Sequence, residues 1–340
     1  MPVVGLRGDK IITRGLEYNI TDHCNYRCDQ CSHLSPYMKR RESALESFRR
    51  DLPALASVMQ AYRFVFVGGE PLLHKEILAH IRAVRDSGIA KEIQISTNGS
   101  RIDTTPLDVF SEIDVLRISW YPDVRCDSAK IRLAQDICTR TGARLDVRRV
   151  TKFRRMEVGH IRDDRLVNSI YKTCEIAHVY YSQTFQDGRF YLCSRPLVSQ
   201  SYLNKVGITA PDFKELDGIP LHAPLLKERL LKALNSTAPT AACSYCLGTV
   251  GRKMVWRSLG ASERKSPALP SIDPLERINR RRLWFLQVRR VLSLNYYLLF
   301  GPFLLLVSAG MPVWRSLSGL RRKQRHFVAR RGRLAIGSRR

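Results

Sequence analysis

The chain has 340 residues, of which 44% are hydrophobic and 26% charged. That is the range of an ordinary folded protein, long enough for one large catalytic domain with an appendage or for two modest domains. The formal net charge of +26 is uneven: 275–340 holds 16 of the 57 lysines and arginines and a single acid, Glu276.

At the amino end, MPVVGLRGDKIITRG has neither the apolar run nor the cleavage site of a secretory signal, so a cytoplasmic location is expected. In that reducing compartment nine cysteines read as metal ligands or inert core residues before disulfides. Between about Leu16 and Val150, β-branched runs then alternate with helical stretches. Strands are expected at Leu16–Thr21, Phe64–Val67, Glu92–Ser96, Val115–Ser119 and Leu145–Val150. Helices are expected at Glu42–Gln60, Lys75–Ser87 and Ala129–Thr141, where apolar residues fall at helical spacing. The alternation predicts an α/β fold with a parallel sheet, open or closed into a barrel. In such folds ligands bind at the carboxyl ends of the strands. Three motifs fall there in register: the cysteine run after the first strand, GGEP after the second and STNG after the third.

From Cys174 the pattern changes. His178–Phe185 and Arg189–Cys193 read as a β-hairpin turning at Asp187-Gly188. A short helix near Leu225–Leu234 and the pair Cys243-Ser-Tyr-Cys246 follow. Ser258–Pro274, rich in Ser and Pro, reads as a linker.

Cys24, Cys28 and Cys31 form C-x3-C-x2-C in a polar loop with Asp22, Asn25, Arg27 and Asp29. Three thiolates can bind three irons of a cubane cluster and leave the fourth open to an exogenous ligand. Spacing alone also admits zinc, with His23 or His33 as a fourth ligand.

Here the sequence resembles the radical SAM superfamily over roughly residues 15–250, its cysteine spacing matching that family's signature. The resemblance implies a catalytic 4Fe-4S cluster on the triad and S-adenosyl-L-methionine (SAM) on its open iron. It implies SAM contacts from Gly68, Gly69, Glu70 and Pro71, from Ser96 and Asn98, and from Ser119 at the end of the fourth strand. The chain departs from the family at Gln30, where an aromatic residue usually leans on the adenine. A reduced cluster would cleave SAM to a 5′-deoxyadenosyl radical, which removes a hydrogen atom from substrate. A reducing donor such as flavodoxin or ferredoxin is implied as partner.

Cys174 and Cys193, with Gly188 at the hairpin turn, and the pair Cys243 and Cys246 can converge on one site. Four sulfurs suit either a cubane or a four-thiolate zinc. Their order resembles the twitch form of the SPASM extension, which holds one auxiliary 4Fe-4S cluster. Cys126 and Cys138 match neither pattern and read as structural thiols.

The expected architecture is therefore a partial (β/α)6 TIM-like barrel over 1–165, an auxiliary-cluster domain over 166–257, a linker over 258–274 and a basic, apolar tail over 275–340. By architecture it resembles twitch-bearing dehydrogenases that oxidise a cyclitol alcohol and pass an electron to the auxiliary cluster. A peptide or protein maturase, and a non-catalytic iron–sulfur or zinc scaffold, stand as alternatives. The substrate is thus a small molecule or a peptide, and Arg148, Arg149, Arg154 and Arg155 are candidates for an anionic group.

In the tail, Val291–Trp314 carries no charge for 24 residues. As a helix it would reach about 36 Å, enough for a bilayer. Arg280–Leu294 mixes arginine with Leu, Trp and Phe as an interfacial helix does, which favours a membrane surface over nucleic acid.

Overall fold

Apolar residues spaced two apart build the strands and decide which sheet face meets the helices. The computed structural model describes residues 5–123, 125–180, 182–265 and 277–292. A hairpin of β1 (Gly5–Arg7) and β2 (Lys10–Thr21) leads into α1 (Leu45–Val58), β3 (Met59–Gly68), α2 (Ile77–Ser87) and β4 (Ala90–Thr97). Then come α3 (Leu107–Ser111), β5 (Val115–Trp120), α4 (Ser128–Thr141) and β6 (Arg144–Arg149). Strands β2 to β6 lie side by side in chain order, all parallel, with pairs such as Tyr18↔Phe66, Phe66↔Ile95 and Ile95↔Leu116. This is the predicted α/β class.

Leu16, Tyr18, Ile20, Phe64, Phe66, Ile93, Ile95, Leu116 and Ile118 share one core with Phe48 and Leu52 of α1 and Ile81 and Val84 of α2. Each such side chain contributes about 1.5–3 kcal/mol on burial. The alternate residues, Glu17, Arg63, Gln94, Arg117 and Arg148, consequently line the opposite face, which is polar. Two strands begin earlier than predicted, β2 at Lys10 and β3 at Met59. The buried set does continue through Ile11, Met59 and Ala61, but Lys10, Arg14 and Arg63 interrupt it in sequence.

The remaining elements are β7 (Lys152–Arg154), α5 (Asp164–Thr173), β8 (Thr184–Gln186), β9 (Arg189–Tyr191), α6 (Arg195–Lys205) and α7 (Phe213–Asp217). After them come β10 (Ile219–Pro220), α8 (Leu226–Leu234), β11 (Lys253–Val255) and α9 (Ala261–Lys265). The hairpin turns at Asp187 and Gly188, whose φ angles of 51° and 73° are the left-handed pair a two-residue turn requires. Its first strand is shorter than predicted, because Ile176–Tyr180 coils as a π-helical turn. There His178 donates its N–H to the Cys174 carbonyl at 3.1 Å, so the chain continues α5 instead of extending.

β8 then pairs parallel with β2 at Glu17↔Thr184. The order β8-β2-β3-β4-β5-β6 gives six parallel strands, consistent with a partial (β/α)6 barrel. The first residues of the predicted linker are tied down: Leu259 is buried and donates its N–H to the Arg27 carbonyl at 2.7 Å.

The described residues up to Trp284 form one compact unit, to which residues 285–292 do not belong. A helix spans 280–292; the rest of the predicted apolar run, and most of the predicted tail, lies outside the described residues. Among the described residues no helix is long and apolar enough to cross a membrane.

Candidate functional site: two cysteine centres

The ends of β2, β3 and β4 deliver their motifs to one place. After β2 the loop carrying Cys24, Cys28 and Cys31 passes over the end of β3, where Gly69 donates to the Thr21 carbonyl (2.6 Å) and Glu70 to that of His23 (2.9 Å). This contact needs glycine. A Cβ at Gly69 would lie 2.0 Å from the His23 oxygen, and Gly68, at φ +127°, would meet the Thr21 oxygen at 2.2 Å.

The carboxylate of Glu70 is fully buried. It accepts from the Thr97 hydroxyl (2.6 Å), the Asn98 N–H (2.7 Å) and the Leu72 N–H (3.1 Å). Asn98 in turn donates from its amide to Asn25 Oδ1 at 2.9 Å and points at Cys24 Sγ at 3.8 Å. GGEP, STNG and the cysteine loop are thus one hydrogen-bonded unit. Ser96 stands apart from it, accepting from Gln94 at 2.8 Å on the polar face.

Burial raises all three triad thiols, Cys28 up to about 12. Their charged forms therefore need donors or a metal. The donors are present. Tyr26 N–H reaches Cys24 Sγ at 3.3 Å, and Trp256 Nε1–H reaches Cys28 Sγ at 3.1 Å. Backbone N–H groups of Ser35 and His33 reach Cys31. N–H groups aimed at sulfur suit iron–sulfur ligands. His33, raised above as a ligand for zinc, is pushed down to about 4 by burial and the nearby Arg195.

Several residues here escape sequence reasoning. Tyr121 stacks with Phe153 (5.5 Å) and Trp256 (6.0 Å), and Tyr26 lies 5.8 Å from it. The Arg125 guanidinium lies 3.9 Å from the Tyr26 ring centre. This aromatic layer sits beside the triad, with the Tyr121 phenol pushed well up by burial and by the three cysteines. Gln30 adopts φ 58° and bonds to Asp29. No local pattern marks Trp256, which is brought in by pairing of β7 with β11. Ser119 is hydrogen-bonded to Tyr121.

The second group also converges. Cys174 after α5, Cys193 after β9, and Cys243 and Cys246 line one cavity with Ile170, Leu192 and Ala242. Gly248 N–H donates to Cys246 Sγ at 3.2 Å, and the Thr240 hydroxyl lies 3.4 Å from Cys243 Sγ. Burial raises all four thiols, Cys243 to about 12 and Cys246 to about 11. Arg195 links the two centres: it donates to the Ser32 carbonyl (2.9 Å) and forms a buried ion pair with Glu157. Cys126 and Cys138 are buried in the hydrophobic core, Cys126 against Gly99 of STNG, and neither belongs to the two cysteine groups. Among the described residues, no three His, Cys, Asp or Glu side chains lie close enough to share one metal ion.

Of the arginines named from sequence, Arg148 lies on the polar sheet face, Arg149 and Arg155 do not join it, and Arg154 lies in a basic groove with Arg252, Lys253 and Arg280–Arg282.

Residues 18–123, the stretch holding the triad, GGEP, STNG and Ser119, match the family model of the Radical SAM superfamily. That stretch is therefore similar to the radical SAM domain, a family that implies a 4Fe-4S cluster and SAM. Curated relatives include GTP 3′,8-cyclase of Mannheimia succiniciproducens, 31% identical over 91 residues (26% of this chain, 27% of that protein). The same enzyme of Actinobacillus pleuropneumoniae serotype 3 is 27% identical over 107 residues, 31% of each. The chain thus spans only about a quarter to a third of these relatives. Among solved structures, BtrN in complex with AdoMet and 2-DOIA is 12% identical, with a TM-score of 0.37 over 69% of this chain and 93% of that one. A tagged anSMEcpe with bound AdoMet is 20% identical, with a TM-score of 0.32 over 39% and 42%.

Proposed function

We propose that this protein is a radical SAM enzyme in which Cys24, Cys28 and Cys31 hold the SAM-cleaving 4Fe-4S cluster. The observation that carries this is the bonded unit Cys24–Asn98–Glu70, which ties the cysteine loop to GGEP and STNG. When bound, the cluster and SAM supply a 5′-deoxyadenosyl radical able to take a hydrogen atom from an unactivated carbon. The chain's own task is to hold and shield that pair. The backbone of Gly68, Gly69 and Pro71, with Asn98, Ser96 and Ser119, forms the SAM-facing rim. Glu70 positions that rim from beneath, its carboxylate being occupied by three chain donors.

We further propose that Cys174, Cys193, Cys243 and Cys246 hold an auxiliary 4Fe-4S cluster, with 1–165 as catalytic core and 166–257 as its auxiliary region. Four protein thiolates leave no open iron, which suits an electron acceptor better than a substrate site. An oxidation would then fit best: a carbohydrate- or cyclitol-like alcohol would lose a hydrogen atom, a proton and an electron, and a cluster held by these four cysteines would supply an acceptor for the electron. Flavodoxin or ferredoxin would serve as reductant. Helix 280–292, with Arg280 and Arg281 near Trp284 at 65% exposure, supports attachment of the tail to a membrane surface.

Anaerobic reconstitution with product analysis tests this reading. Cleavage of SAM to 5′-deoxyadenosine under reduction supports it. Binding of zinc in place of iron at the second site would remove the electron-acceptor role.

A further inference from the structure

The polar face of the sheet walls an unassigned cavity of about 820 Å³, which touches all five strands β2 to β6 and the residues Val179, Tyr180 and Ser182. Ser96, proposed above as a SAM contact, lines it too. Four arginines, Arg14, Arg63, Arg117 and Arg148, line it with one carboxylate, Glu17, while Asp146 and Glu92 pair with three of them from beside it.

Arg117 and Arg148 are the informative pair. Arg117 stands opposite Asp146 on the β5–β6 ladder, and Arg148 is the next residue on that face. Asp146 holds both by their inner nitrogens, Arg117 Nε at 2.8 Å and Arg148 Nε at 3.2 Å. Among the described residues, the outer Nη groups of both find no hydrogen-bond acceptor. Arg63 adds a third charge, fixed by Glu92 at 2.6 Å. Burial and its neighbours Arg148 and Arg63 lower the pKa of Arg117, so the three guanidiniums sense one another. Pinned guanidiniums with free Nη donors match the oxygens of a phosphate or carboxylate, because the fork is planar and already ordered.

We propose that this cavity is the substrate chamber and that Arg117 and Arg148 bind an oxyanion group, phosphate or carboxylate, on a small polar substrate. The assignment rests on the radical SAM reading for its place beside SAM, but the anion site itself does not. It names a class the sequence leaves open: the substrate is an acidic small molecule rather than a neutral sugar or a basic peptide.

Calorimetric titration of the full-length reconstituted protein at about 150 mM salt tests it, so that weak surface attraction is screened. The probes are ribose 5-phosphate, gluconate and ribose. One anionic probe should bind at a single site at least tenfold more tightly than ribose, and which one does so separates phosphate from carboxylate. Arg117→Gln and Arg148→Gln should each weaken it at least tenfold, and Arg117→Lys by less. The double variant Arg280→Ala, Arg281→Ala, in the basic groove, should leave it unchanged. Equal binding of ribose, no binding of either anion, or loss only in the groove variant would each overturn the proposal. Iron content and SAM cleavage, measured without probe, report separately on the radical SAM reading, so the two can fail independently.

Discussion

Trp256 donates its indole N–H to Cys28 Sγ at 3.1 Å, joining a residue ten positions past the last cysteine to the middle ligand of the first triad. A donor to a cluster sulfur favours the more negative, reduced cluster and so raises its potential. Trp256→Phe keeps the stacking on Tyr121 but removes the donor. A bond worth about 1 kcal/mol more to the reduced state corresponds to a fall of roughly 40 mV for one electron. Spectroelectrochemical titration checks this, with the potential of the second centre as an internal control. An unchanged triad potential would mean that the bond is not made to a ligand.

The Glu70 carboxylate organises three chain donors, two of them backbone N–H groups. Glu70→Ala leaves buried donors unpaired, which costs about 1–3 kcal/mol for each group that water cannot reach. Glu70→Gln keeps an acceptor oxygen and should cost less. Both should weaken SAM binding in equilibrium dialysis, alanine more, while iron on Cys24, Cys28 and Cys31 is retained. A Glu70→Gln variant that binds SAM normally but is as unstable as the alanine variant would contradict a positioning role.

The fold, and the strand ends that carry the candidate motifs, were legible from periodicity. Leu16, Tyr18 and Ile20 alternate cleanly, and GGEP and STNG follow strands that the structure contains. The convergence of Cys174, Cys193, Cys243 and Cys246 was legible from the hairpin turn and the C-x2-C spacing. What stayed hidden depends on long-range contacts. His178 lies in a β-branched and aromatic run that reads as strand, yet its N–H and ring both bond back to the end of α5. Trp256, Tyr121 and Arg195 act across 228, 95 and 163 residues from Cys28, Tyr26 and Ser32 respectively, beyond any local pattern. The alternation that exposed the core also hid the polar face, because Glu17 and Arg117 read as ordinary solvent-facing charges and only Arg148 was a candidate for an anionic group.

Arg195 joins the triad loop to the second cysteine centre through Ser32, Glu157 and Ser199. Arg195→Met would strand the Glu157 carboxylate in the interior, at a cost of about 3–5 kcal/mol. Adding Glu157→Leu should recover much of that loss, since the penalty belongs to the unpaired charge. Urea unfolding of the single and double variants measures the coupling. Purely additive effects would show that the pair is not shared.

Burial raises the Glu17 carboxyl from 4.5 to about 6. Its raised folded value means that the stability it carries is present below the unfolded pKa and lost as pH climbs through about 6, by at most about 2 kcal/mol. Glu17→Gln cannot ionise. The variant should therefore gain in Tm over wild type between pH 5 and pH 7.5 (roughly the window of that titration). A difference in Tm that stays constant across that range would contradict the shift.

The central claim is that the two cysteine groups hold two separate 4Fe-4S clusters, the first of which binds SAM. Iron analysis with electron paramagnetic resonance, on wild type and on the variant Cys24→Ala, Cys28→Ala, Cys31→Ala, tests it most directly. The account predicts about eight irons in wild type, a signal perturbed by SAM and formation of 5′-deoxyadenosine. The triple variant should retain about four irons, with a signal indifferent to SAM. A triple variant that still responds to SAM, or a wild type that holds about four irons and is silent toward SAM under reduction, would contradict it.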